Sequence, residues 1–257
     1  MEPTPGPSQS APLHKNFMEY LREGVMIFVA VMLGFLADNY REYLAEREQE
    51  QAYLMSLRED LQSDTARLHY SLARLHSDIA NGDSAIRSYA AHRASGRFPV
   101  DLAIWGQSAG SSVDVVFNDR TSSQLKGSGS MRLIRDQELA TMMLAYWNNQ
   151  IALAQIHDRF ETQRMDQRNA GFRVFDWYPT YMRRARSEID TTRAEWRAGI
   201  ADPSGMHEFI NVTASLRLVA VSQYQPLLLE EVSLAEKLIA RLPARDGDAA
   251  TRTSDPR

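Results

Sequence analysis

The stretch VMIFVAVMLGFLA, Val25 to Ala37, stops at once at Asp38 and Asn39, and it restricts this chain more than any other feature. Counted from Gly24, it rises only about 21 Å as a helix at roughly 1.5 Å per residue, against a hydrocarbon core of about 30 Å. Length alone favours a buried core helix or the apolar part of a signal peptide. The signal-peptide reading fails on the flanks. The segment before the run carries Glu2, Glu19 and Glu23, and FLADNYRE holds no small-x-small cleavage pattern. The run is therefore expected to be retained.

A full span is recovered if the helix starts near Phe17, which brings its length at Ala37 to about 31 Å. Glu19, Arg22 and Glu23 then share one interfacial turn, where Arg22 can snorkel and Glu19 can offset it at i,i+3. Tyr20, Tyr40 and Tyr43 fall where aromatic belts sit. Val25 to Leu36 is apolar on every face apart from Gly34, whereas a core helix of a soluble protein more often keeps a polar stripe. The reading is a transmembrane anchor over residues 17–40, preceded by a disordered Pro-rich tail over 1–16. A soluble or membrane-associated helical scaffold, with Val25 to Ala37 buried in its own core or a partner's, is the alternative. Lys15 and Arg22 before the run balance Arg41 and Arg47 after it, so the charge rule leaves the direction of crossing open.

Beyond Asp38 the pattern changes to a stripe: Leu54, Leu57, Leu61, Thr65, Leu68, Leu72, Leu75, Ile79, Ile86 and Tyr89. Its steps of three and four, with one extra four between Leu57 and Thr65 read as a stutter, predict a long amphipathic helix. Glu46 to Glu50 and Asp60 to Asp64 are read as solvated helix faces rather than metal ligands. His69 and His76 lie two turns apart, too far to share an ion unaided. Asn81-Gly82 is expected to kink or end this helix. An irregular connection from Ala94 to Ser112 follows, with one short helix in VDLAIWGQ.

Thr121 and Gln124 have the spacing of a capping box for a short helix ending at Gly127. KGSGS lacks the order of a phosphate-binding loop and reads as a turn between helices. Asp136 is expected to cap a second long helix whose apolar residues, Leu139 to Phe160, spread widely enough to bury two sides. GFRVFDWYPTYMRRARSEID reads as an aromatic loop and then a short helix. Phe209 to Leu242 reads as one helix broken or kinked at Pro226. The fold class is all-α: an N-terminal transmembrane helix running into a long amphipathic helix, then an antiparallel helical bundle, the whole domain spanning 41–242. A disordered tail covers 243–257.

Chemistry is less legible. A net charge of -4 gives no reason for nucleic-acid binding, because the arginines near Tyr181 are diluted by Glu188 and Asp190. There is no cysteine, hence neither disulfide nor thiolate chemistry. His69, His76, His157 and His207 are not at ligand spacing, and no nucleophile with its base stands out. No catalytic, cofactor-binding or metal-ligating residue is assigned, and no cofactor; an enzyme is the least favoured class. The partners expected are the lipid bilayer and a second copy or another protein meeting the helical faces.

Two blocks carry a resemblance. REGVMIFVAVMLGFLADNYREYLAEREQEQAYLMSLREDLQSDTARL and RTSSQLKGSGSMRLIRDQELATMMLAYW resemble DUF6090, an uncharacterised bacterial family of single-span membrane proteins. The first is similar in its acidic residue and Gly before a short Val-rich span, its Asn-containing exit and its Glu/Arg-rich helix. The second is similar in its Leu-Lys, Ser-Gly and Arg-Leu-Ile segment and the paired aromatics that follow. The resemblance implies an anchor in the bacterial inner membrane with the helical domain in the periplasm, and it supplies no catalytic residue.

Overall fold

The computed structural model describes residues 17–177, 199–200 and 203–243. The protein is all-α. Helix α1 spans Phe17–His92, α2 Val100–Ala109, α3 Arg120–Gly127, α4 Gln137–Val174, α5 Met206–Val219 and α6 Gln225–Arg241, with 3-10 turns at Ser130–Leu133 and Pro203–Gly205. The sole strand pairing among the described residues joins β1, Phe175–Asp176, to β2, Gly199–Ile200, antiparallel with Phe175 opposite Ile200. The tails expected over 1–16 and 243–257, Pro243 excepted, lie outside the described residues. So does the short helix expected within MRRARSEID.

The chain divides into two compact units, Met1–Gln51 and Ala52–Arg257. In the first, α1 leaves its large apolar side chains in the open: Val25 to Leu36 are exposed all round. This is the one helix among those described that is long and apolar enough to cross a membrane, with a mean hydropathy of 1.7 over its best window and none of that window buried.

In the second unit three apolar clusters follow one another along α1. Leu57 and Leu61 pack with Leu125 of α3, Met143 and Trp147 of α4 and Leu238 of α6. Leu68, Leu72 and Leu75 meet Leu153 and Phe160 of α4, Leu216 of α5 and Leu228 of α6. Ala85 meets Leu102 of α2, Val174 of α4, Trp177 and Phe209 of α5. Each fully buried leucine contributes about 1.5–3 kcal/mol from area alone, which is what holds helices of modest propensity together.

Several local expectations are corrected. Gly82 neither ends nor breaks α1, which continues to His92; a β-carbon there would lie at ordinary contact distance, 3.6 Å from Ala109 Cβ and 3.9 Å from Arg217 Cβ, so the position leaves room for a methyl group and little more. The stutter is absent. The buried seam runs Leu57, Leu61, Asp64, Leu68, Ser71, Leu75, Asp78, Gly82, Ala85, in unbroken steps of four and three, and Thr65 lies beside it only half-buried. Helix α4 buries two sides around Trp147 and Asn149, which face opposite ways two residues apart, but not along its whole length. Leu139, Met143, Tyr146, Leu153 and Phe160 share a heptad face, while Ile151 points to solvent at 58% exposure.

The irregularity at Pro226 takes the form of a π-turn, Ala220–Tyr224, between α5 and α6, without a break in the helical path. Proline offers no N–H and crowds the carbonyl four residues back, here that of Ser222; widening the preceding turn relieves both. Asp136 does cap α4, its Oδ1 accepting from Leu139 N at 3.0 Å. The loop helix, the stop at Gly127 and the turn through KGSGS also stand.

Candidate functional site

The interior of the second unit holds polar groups the sequence reading placed on the surface. Asp60 and Asp64, one turn apart on α1, are 3% and 2% exposed, so the solvated-face reading of this pair is overturned. Asp60 Oδ1 accepts from Asn118 Nδ2 at 2.7 Å and Arg120 Nη2 at 3.1 Å, and Oδ2 accepts from Thr121 N at 3.2 Å and from the Thr121 hydroxyl. Asp64 Oδ1 accepts from Asn118 N at 2.9 Å and Oδ2 from the Tyr146 hydroxyl at 3.2 Å.

The physical logic is a helix cap supplied from elsewhere in the chain. The first N–H groups of α3 need acceptors, and a carboxylate there also meets the positive end of the helix dipole. Asp119, the N-cap residue, makes no side-chain capping bond; Asp60 of α1 takes that place. The Thr121 hydroxyl is drawn to Asp60, so the expected Thr121–Gln124 box does not form.

Glu231 of α6 is fully buried and accepts from Asn149 Nδ2 of α4 at 2.7 Å. Burial pushes its carboxyl up to about 8, against the pull of Asn149 and Gln150. Burial likewise raises Asp64, opposed chiefly by its bond from Asn118 N. The Tyr146 phenol is pushed up by burial, then by the charges of Asp64 and Glu231. Asp78, with Arg74 Nε at 3.6 Å, is pushed up to about 7, again by burial. Asp60, Asp64 and Glu231 tie α1, α3, α4 and α6 together, whereas among the described residues Asp78 pairs only within α1; none of these groups lines the cavity described next.

That cavity, about 180 Å³, opens where the end of α2, the C-terminal half of α4, β1 and α5 meet. One wall is aromatic: Phe175 is edge-on to Trp177 at 5.9 Å and to Phe209 at 5.1 Å between ring centres. The lining also includes Gln107, Ser111, Ser112, Arg164 and Arg168. Gln167, 1% exposed, donates through Nε2 to Gly106 O at 2.6 Å and Thr213 Oγ1 at 3.3 Å. Gly110 is required beside it, since a β-carbon there would sit 2.1 Å from Gln167 Oε1.

The histidines are scattered. His69 Nε2 lies 3.2 Å from Glu236 Oε1, His76 meets Gln225, His157 meets the Tyr224 hydroxyl and His207 that of Tyr89. Among the described residues no three His, Asp or Glu side chains come together as metal ligands. The aromatic residues of GFRVFDW do pack together, Phe175 with Trp177, but not as a loop: Gly171 to Val174 close α4 and Phe175–Asp176 form β1. Arg164, Gln167, Arg168 and Phe172 were not singled out in the sequence, because a charged and amide-rich helix surface carries no spacing that marks a cavity.

The fold and site define a helical protein with one candidate membrane-spanning helix. No family model, no curated protein and no solved structure matches the chain.

Proposed function

We propose that the chain is a single-pass membrane protein of the bacterial inner membrane whose helical domain works as an interaction or sensing module. The observation that carries this reading is the apolar run Val25 to Leu36, exposed on every face. So much contiguous apolar surface on a soluble monomer is exceptional, and lipid is the cover that suits all faces of a helix at once. The same helix, α1, runs from the apolar stretch into the second unit and supplies its buried seam. The DUF6090 resemblance and the absence of cysteine favour the periplasmic side for the domain. Partners then meet it in or outside the membrane.

Alkaline carbonate washing tests the anchor: the full-length chain is expected to stay in the membrane pellet, and its recovery in the supernatant returns the alternative of a soluble scaffold. Fusions after Ala250 test the direction, with active alkaline phosphatase and a dark green fluorescent protein expected. A bright fluorescent fusion with inactive phosphatase reverses the topology.

A further inference from the structure

We propose that the cavity between α4 and α5 binds a small organic monocarboxylate with a flat apolar body, about the size of benzoate. Size sets the first limit. A dry cavity of about 150 Å³ accommodates a benzene ring, so about 180 Å³ holds one ring with a carboxylate, and falls short of the range of about 300–1,000 Å³ typical for cofactors and larger ligands.

The lining sets the second limit. Phe175, Trp177 and Phe209 are each at most 5% exposed and fix one another edge to face, so the apolar wall is already formed. Among the described residues that line the cavity there is no aspartate or glutamate, whereas there are two arginines. Arg164 has 12% of its side chain exposed and gives Nε and Nη2 to Glu161 at 2.6–2.9 Å. Its Nη1 has no hydrogen-bond acceptor among the described residues. Arg168 lies 5.4 Å from the Phe172 ring centre and has no carboxylate partner among the described residues. Among the described residues Glu161 cancels one of the two charges, leaving a single positive charge beside the apolar wall. A monoanion whose carboxylate meets guanidinium N–H groups and whose body covers the aromatic wall complements both. Inorganic phosphate would satisfy the charge and leave the wall wet.

The inference does not depend on the membrane reading, so the two can fail separately. Calorimetric titration of the full-length chain in lipid nanodiscs, with empty nanodiscs as the blank, compares benzoate, benzyl alcohol, benzylamine and phosphate. If the chain proves soluble, the same titrations are run in buffer. Benzoate is expected to bind about tenfold more tightly than benzyl alcohol, with benzylamine and phosphate weaker still. Arg168→Gln, a change at an exposed position, is expected to lower benzoate affinity about tenfold and leave benzyl alcohol unchanged. Phe172→Ala is expected to weaken both aromatic ligands while the thermal transition stays in place. The proposal is overturned if benzoate does not bind, if benzylamine or phosphate equals it, or if Arg168→Gln leaves benzoate affinity unaltered.

Discussion

Two stretches of the same helix invert the usual relation between polarity and burial. From Val25 to Leu36 nearly every side chain is apolar and all are exposed, whereas from Leu57 to Asp78 the seam buries Asp60, Asp64, Ser71 and Asp78 among its leucines. An apolar surface is buried only if something covers it, and a carboxyl is buried either where donors converge on it or where burial favours its protonated form. The first stretch has no cover among the described residues of its own unit; in the second, Asp60 and Asp64 find donors in Asn118, Arg120, Thr121 and Tyr146, and Asp78 has Arg74 Nε at 3.6 Å. Composition alone therefore says what a segment needs, and the partners it meets decide whether it is inside.

The largest effect that separates the stretches comes from placing a charge where the seam offers no donor. Leu61 is 1% exposed and Leu72 8%. Leu61→Asp or Leu72→Asp combines a lost leucine with an unpartnered carboxylate and is expected to cost about 4 kcal/mol or more of domain stability. Leu33→Ala, in the exposed run, is expected to leave the thermal transition of the domain unchanged. Equal melting points for Leu72→Asp and the parent protein would remove Leu72 from the core.

Next in size is Asp60→Ala, which a solvated carboxylate would tolerate. Here it strips the backbone N–H of Thr121, its hydroxyl and Asn118 Nδ2 of their acceptor at once, and a loss of about 3 kcal/mol is expected by denaturant unfolding. Glu48→Ala, on the exposed side of α1, is expected to change stability by less than about 0.5 kcal/mol. Similar values for the two would return Asp60 to the surface.

A smaller and pH-dependent effect comes from Glu231. Its folded carboxyl is raised from 4.5 to about 8, and that of Asp78 from 3.8 to about 7. Between the unfolded and folded values the native state holds the extra protons, so stability is greatest at the acid end of this window and is lost as pH rises towards about 8. Glu231→Gln copies the protonated acid and keeps an acceptor for Asn149. It is expected to flatten the fall in melting temperature between pH 5 and pH 8, with its largest advantage over the parent at the upper end. Parallel profiles for the two proteins would show that Glu231 does not titrate on unfolding in this range.

How far these contrasts were legible depends on whether the signal was local. The burial of Leu57, Leu61, Leu68, Leu72 and Leu75, the Asp136 cap and the packing of Phe175 with Trp177 follow from spacing within one helix or turn, and are legible in the sequence. The burial of Asp60 depends on a loop arriving some sixty residues later in the chain, and nothing around Asp60 announces it. One clue is present: the heptad runs without interruption once Asp64 rather than Thr65 is placed in it. The cavity was illegible for a similar reason. Gln167, Arg164 and Phe172 become a lining only once α2, β1 and α5 close around α4.

The smallest effect tests the seam at its least apolar contact. Gly82 sits in mid-helix, where glycine costs roughly 0.5–1 kcal/mol relative to alanine through the freedom it loses on folding. A methyl group there would meet Ala109 Cβ at 3.6 Å, Arg217 Cβ at 3.9 Å and Thr213 Cγ2 at 4.0 Å, all ordinary contact distances. Gly82→Ala is therefore expected to stabilise the domain by about 0.5–1 kcal/mol, a rise of about 1–4 °C in Tm for a domain of this size. Gly82→Leu must push α2 or α5 away and lower it. The contrast with the open run is direct, because Gly34 has nothing within 4 Å, and Gly34→Leu is expected to leave the transition of the domain where it is. If Gly82→Leu were as stable as Gly82→Ala, the close approach of α1 to Ala109 and Arg217 would be wrong, and the glycine would return to being the hinge that its sequence context first implies.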